Sequence, residues 1–279
     1  MNEHNAGTVG CMHAHERSLV APEGTRPPSA PETKIRHLRS RRSDTLVVIP
    51  ARNEAADVGG VVRRARSLGY DVVVVDDGST DDTVQAAGAS GAVVLRLPFR
   101  AGAWIAMQTG VRLGLRRGYR FAVTLDADGQ HDPAAIEKLA LAYERAEPAC
   151  NVVVGSCVSR ASHGRRIAWR FLRRLGSLRV RDLTSGYRLY DRTAMIVAAS
   201  GEATLLEYQD VGVLLLLMES GCRITEVDIP MAPRRSGKSR VFESWPKVIY
   251  YLVYSAMLCT SKRRLPAPLS TRPGNGAGT

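Results

Sequence analysis

Phe121-Ala-Val-Thr-Leu-Asp-Ala-Asp-Gly-Gln-His131 decides how this chain is read. Its first five residues are an apolar, partly β-branched run of strand length, and the run stops abruptly at two carboxylates one residue apart. Asp126 and Asp128 therefore stand where a buried strand opens into a loop. An Asp-x-Asp pair in that position can grip a divalent cation, and a cation held there can neutralise a diphosphate. The same carboxylates can also simply cap the next helix. The pattern recurs upstream. An apolar run at 71–75 ends in Asp76-Asp-Gly-Ser-Thr-Asp81, and another at 45–49 ends in Pro50-Ala-Arg-Asn-Glu54.

Each run is followed by a stretch with helical character, at 55–68, 80–89 and 133–145. Strands alternating with helices predict an α/β fold whose strands pair in parallel, with all three acidic loops on one edge. Ligands bind along that edge in open sheets of this kind. Carboxylates gathered on one rim repel one another unless something cationic sits between them. Capping by Ser79 or Asp81, and by Asp132 ahead of Pro133, is compatible with that function.

These loops resemble the nucleotide-sugar half of the family 2 glycosyltransferases. The resemblance is carried by Pro50-Ala-Arg-Asn-Glu54, Val75-Asp-Asp-Gly-Ser-Thr-Asp81 and Asp126-Ala-Asp-Gly-Gln-His-Asp-Pro133. It continues through Val154-Gly-Ser156, Asp182-Leu-Thr-Ser-Gly-Tyr-Arg-Leu-Tyr190 and Arg234-Arg-Ser-Gly-Lys-Ser-Arg240. Within the family it is similar to the branch of dolichyl- or polyprenyl-phosphate sugar synthases. The resemblance implies a GT-A fold, a Rossmann-like, mostly parallel sheet flanked by helices. It also implies inverting transfer of a sugar from a nucleoside diphosphate. Pro50, Asn53 and Glu54 with Asp76 and Asp77 would hold the nucleoside. Asp126, Asp128 and Gln130 would carry Mg²⁺ or Mn²⁺. Arg188, Arg235, Lys238 and Arg240 fall in segments that meet the diphosphate or the acceptor phosphate in similar enzymes. Asp210, in Glu207-Tyr-Gln-Asp210, stands where family members that transfer to hydroxyls place a catalytic acid; its other reading is a cap on the helix after it. Two departures stand out. Arg52 replaces the aromatic residue usual at its position, and Arg100-Ala-Gly-Ala103 replaces a Gly-Lys-Gly turn.

At 279 residues and a formal net charge of +12, the chain has room for one sizeable domain with tails. Residues 1–44 read as a disordered basic leader without the apolar core of a signal peptide, 45–242 as the catalytic domain, 243–261 as an aromatic amphipathic helix, and 262–279 as a disordered tail. Five scattered cysteines predict reduced thiols and a cytoplasmic setting. No Gly-x-Gly-x-x-Gly follows the first strand, which argues against a nicotinamide dehydrogenase.

The positive charge is concentrated. Eight arginines and no acid lie between Arg160 and Arg181. Few aromatics and no recognition module accompany them, so no nucleic-acid partner is expected. An anionic membrane surface or a phosphate-bearing acceptor fits better, the plain alternative being a solvated helix face. The apolar part of the last helix, 248–259, is about 18 Å long at ~1.5 Å per residue and does not span a bilayer. It reads either as a peripheral interfacial helix at the inner face of the membrane or as a core helix. Three functions follow as expectations: sugar transfer to polyprenyl phosphate, transfer to a hydroxyl with Asp210 as base, and non-catalytic nucleotide-sugar binding. Oligomeric state is not legible.

Overall fold

A computed structural model describes residues 42–158, 163–232 and 245–262. The three apolar runs are strands, as their pattern predicts: β1 (Thr45–Ala51), β2 (Asp71–Asp76) and, after the short β3 (Val93–Arg96), β4 (Phe121–Thr124). Between them run α1 (Val58–Ser67), α2 (Thr83–Ala89) and α3 (Ala103–Arg116), and a 3₁₀ turn at Pro133–Ala135 leads into α4 (Ile136–Arg145). The second half comprises β5 (Val152–Ser156), α5 (His163–Gly176), β6 (Arg188–Asp191), α6 (Arg192–Ala198), α7 (Gly201–Thr204), α8 (Val211–Glu219), β7 (Ile224–Asp228) and α9 (Trp245–Lys262).

The seven strands form one sheet in the order β3-β2-β1-β4-β6-β5-β7. β6 alone runs against its neighbours, antiparallel to both β4 and β5, and every other ladder is parallel. Register shows the consequence. Ala51 pairs with Asp76, Thr124 with Arg188, and Arg188 with Val154. The start of β6 thus meets the ends of its neighbours, and the loop 182–187 arrives on the same rim as the acidic loops.

Packing follows the two-residue period of the strands. Val47, Ile49, Val72 and Val74 face one layer, where α1 contributes Val58, Val61 and Val62. Leu46, Val48, Val73 and Val75 face the other, against Ala106 of α3. Burying each such valine contributes roughly 1.5–3 kcal/mol, so a one-residue slip of register is strongly disfavoured. Helix α3 lies close on β1 because Gly110 and Gly114 face it; a Cβ on Gly110 would run into the Val48 side chain. Helix α8 is apolar all round, and Val211 to Leu217 are buried throughout, matching the expected core helix.

Helix α9 buries Tyr251, Ser255 and Cys259, one residue per turn. It packs on α5 where Gly176 leaves room for the Cys259 sulfur, 3.0 Å from where a Cβ would stand. One face thus has the core role read from the sequence, while the opposite face is exposed. Among the described residues no helix is long and apolar enough to cross a membrane.

Candidate active site

The loops after β1 and β2 are knitted into one surface. Asn53 takes a left-handed conformation (φ 53°), accepts at Oδ1 from Thr80 N–H (2.8 Å) and donates its own N–H to Ser79 Oγ (2.9 Å). Glu54 N–H donates to Thr83 Oγ1 at 2.8 Å, and Asp77 N–H to Ala51 O at 2.9 Å. Pro50 is buried at the end of β1. The two strand-end aspartates turn inward. Asp76 is fully buried, accepts from Ser79 N–H and pairs with Arg96 at 3.5 Å. Asp77 takes the N–H groups of Ala101 (2.6 Å) and Gly102 (2.9 Å) at the entry to α3. Expected to hold a nucleoside, both carboxylates are engaged by the protein itself. The departure Arg100-Ala-Gly102 thereby acquires a local role: its N–H groups grip Asp77.

After β4 the chain turns at Gly129 (φ 71°), and Gln130 N–H donates to Asp128 Oδ1 at 3.1 Å. Asp126 is half-buried and Asp128 buried. Gln130 is fixed at both ends: its carboxamide nitrogen donates to Ala232 O (3.3 Å), and its backbone oxygen accepts from Ala232 N–H (2.8 Å). This anchors the chain two residues before Arg234. Arg235, Lys238 and Arg240 lie outside the described residues.

The antiparallel start of β6 brings the next layer. Thr124 Oγ1 donates to Gly186 O at 2.7 Å. A Cβ on Gly186 would stand 3.1 Å from Asp126 Oδ1 and 2.9 Å from Gln209 Nε2. The glycine therefore keeps a methyl-sized gap open beside the Asp126 carboxylate, and the Gln209 carboxamide bounds the gap's other side. Gln209 Oε1 is buried without a hydrogen-bond partner. Arg188, expected to face phosphate, is corrected by its burial. It has no exposed surface, and its guanidinium donates to three carbonyls: Ser185 O (2.9 Å), Gln209 O (2.7 Å) and Leu183 O (3.2 Å). Its role is to clasp two loops together.

Asp210 does not cap α8 with its side chain. Its carboxyl is buried, and burial pushes its pKa up to about 6; Asp182 and Asp126 push the same way, while Arg188 and the Tyr251 hydroxyl pull against it. Tyr251 comes from α9, stacked edge-on against Tyr208 at 5.5 Å. Tyr250 of the same helix donates to Glu207 at 2.8 Å, and Glu207 N–H to the Tyr254 oxygen at 3.1 Å. Sequence reasoning missed Gly186, Gln209 and Tyr251. Gly186 carried a signal, since it sits inside a quoted motif. The other two carried none, because only the fold brings them to the rim.

Two carboxylates and a carboxamide are hard oxygen donors suited to Mg²⁺ or Mn²⁺. The gap at Gly186 leaves space beside one of them, so the residues present fit a divalent cation. Among the described residues no cluster of three or more His, Cys, Asp or Glu side chains is gathered for a metal. A bound cation would therefore draw further oxygens from its ligand, as expected where a diphosphate is shared.

Known proteins bear on this arrangement. An undecaprenyl-phosphate mannosyltransferase of Micrococcus luteus is 32% identical over 217 residues, 70% of this chain and 86% of that one. A polyprenol monophosphomannose synthase of Mycolicibacterium smegmatis is 29% identical over 217 residues, 71% of this chain and 80% of that one. A shorter match, 37% identical over 99 residues, spans 35% of this chain and 41% of an uncharacterised protein of Methanocaldococcus jannaschii. In three dimensions the chain is similar to glucosyl-3-phosphoglycerate synthase from Mycobacterium tuberculosis, crystallised with Mn²⁺, uridine-diphosphate-glucose and phosphoglyceric acid. That likeness has a TM-score of 0.63 at 20% identity and covers 87% of each chain, so the fold is the GT-A fold. Residues 46–198 match glycosyl transferase family 2, and this chain belongs to that family of glycosyltransferases.

Proposed function

We propose that this protein transfers a sugar, with inversion, from a nucleoside-diphosphate sugar to a polyprenyl phosphate at a membrane face. The observation that carries this reading is the double hydrogen bond between Gln130 and Ala232, which leads the basic run Arg234 to Arg240 away from the Asp-x-Asp turn. Cationic residues entering there suit a reaction in which both leaving group and nucleophile are phosphates. The names of the Micrococcus and Mycolicibacterium relatives support the same acceptor.

Asp126, Asp128 and Gln130 would hold Mg²⁺ or Mn²⁺, and the ion would supply charge stabilisation to the departing diphosphate. The chain's own groups do the rest. The knitted loops at Asn53 and Ser79 shape the nucleoside side. Arg188 fixes the carbonyls of residues 183, 185 and 209, so that Gly186 and Gln209 keep their spacing beside Asp126. A lipid phosphate is already anionic at neutral pH and needs orientation, with no base.

A second reading rests on Asp210, an uncapping, buried carboxyl with its pKa near 6. Such a group is well placed to take a proton from a hydroxyl acceptor. Radiolabel transfer from several nucleotide sugars to added polyprenyl phosphate, with Mg²⁺ or Mn²⁺, separates the two. Organic-phase label that vanishes in Asp128→Asn and persists in Asp210→Asn supports the lipid-phosphate reading. Metal-dependent donor binding with no lipid label moves the acceptor to a hydroxyl. No donor binding at all points to the non-catalytic alternative.

A further inference from the structure

We propose that the outward faces of α5 and α9 form one docking surface for an anionic lipid bilayer. This rests on the polyprenyl-phosphate reading, whose acceptor is delivered from such a bilayer. The core-facing side of α9 carries Tyr251, Ser255 and Cys259, and the side turned away carries Ile249, Val253 and Met257 at the same four-residue spacing. Those three are 57%, 53% and 65% exposed. On α5, which packs on α9, Ile167 and Phe171 are one turn apart and 62% and 59% exposed.

Single exposed apolar residues are ordinary on soluble proteins. An apolar stripe repeated turn by turn on two helices packed together is different, because leaving it in water has a cost that recurs at every turn. Charge identifies the occupant. The exposed Arg170 and Arg174 are interleaved with Ile167 and Phe171 on the outer face of α5, within a stretch of eight arginines and no acid. Apolar side chains level with guanidinium groups match the boundary between acyl chains and anionic headgroups. A second copy of this surface would bring arginines against arginines. Length agrees as well. The 18 residues of α9 make a rod about 27 Å long at ~1.5 Å per residue, able to lie in the interface plane.

The placement has a chemical consequence. The inner face of α9 carries Tyr250 and Tyr251 against Glu207 and Asp210. A bilayer on the outer face is then about one helix diameter, ~10 Å, from the acceptor side of the site. A phosphate whose hydrocarbon tail stays in the membrane can span that distance.

The test is sedimentation of the full chain with vesicles of phosphatidylcholine alone or mixed with phosphatidylglycerol. Phe171→Glu, Val253→Glu and the pair Arg170→Ala with Arg174→Ala serve as variants. All are exposed positions outside the site, and circular dichroism checks their fold. The wild type should bind the anionic vesicles, and binding should weaken as salt rises. Each glutamate should lower partition about tenfold, and the arginine pair about twenty-fivefold at low salt, at ~1 kcal/mol per arginine. Transfer to a short-chain, water-soluble polyprenyl phosphate should be unchanged in all variants. Wild-type protein that ignores anionic vesicles, or variants on either helix that bind like wild type, overturns the surface. So does a wild-type dimer that Val253→Glu turns into a monomer, which assigns the face to a second copy. Loss of vesicle binding with soluble transfer intact leaves the acceptor reading standing. Vesicle binding without transfer to any polyprenyl phosphate removes the acceptor reading alone.

Discussion

Replacing Asp210 by Asn should make the protein more stable at neutral pH while leaving it unchanged in acid. The carboxyl is 8% exposed and titrates near 6 in the folded protein, against an ordinary value of 3.8. A group whose folded value is raised stabilises the fold fully below its unfolded value, and that stability is lost as pH climbs through the folded value. The gap of about two pH units corresponds to about 3 kcal/mol. Asn keeps the volume and still accepts a hydrogen bond from the Tyr251 hydroxyl, so it removes little except the charge. Urea unfolding of both proteins from pH 4.5 to 8, in chelator to exclude bound metal, gives the comparison. The stability difference should open from near zero to about 3 kcal/mol in favour of Asn, mostly between pH 4.5 and 7. Parallel curves across that range would refute the claim that burial of a chargeable Asp210 is unfavourable.

Other substitutions test separate joints of the structure. Gly186→Ala fills the gap between Asp126 and Gln209 and should cut Mn²⁺-dependent donor binding at least about tenfold with the fold retained, read by calorimetry and circular dichroism. Arg188→Lys cannot bridge three carbonyls with one ammonium; leaving buried carbonyls unpaired should destabilise by about 3 kcal/mol or more in chemical denaturation. Gly110→Ala gains up to about 1 kcal/mol in helix propensity but drives a methyl into Val48, so a net loss of about 1–2 kcal/mol in thermal unfolding is expected.

What could be read without coordinates was the half of the fold built from local pattern. Apolar runs of strand length ending in acidic turns named β1, β2 and β4, and the alternation with helices named their pairing. The same reading could not reach β6. Arg188-Leu-Tyr-Asp191 is four residues long and opens on an arginine, which no hydrophobic period marks as interior. That arginine is buried because carbonyls of residues 183, 185 and 209 converge on it, and convergence across twenty residues of chain leaves no local trace. Asp77 was legible as a strand-end carboxylate but not as the grip on α3, since its partners come two dozen residues later. Asp210 was legible only as a cap or a base, and its burial and missing cap bond come from packing by α9.

The reversed strand also divides the molecule's inheritance. The match to family 2 ends at residue 198, just past β6, whereas Asp210, α8 and α9 all follow it. The donor side is thus built by a contiguous stretch of chain that closes on its own sheet. The acceptor side is added afterwards and fastened to the first through one buried arginine and the Gln130–Ala232 tie. Selection can therefore rework what receives the sugar with few changes to what delivers it.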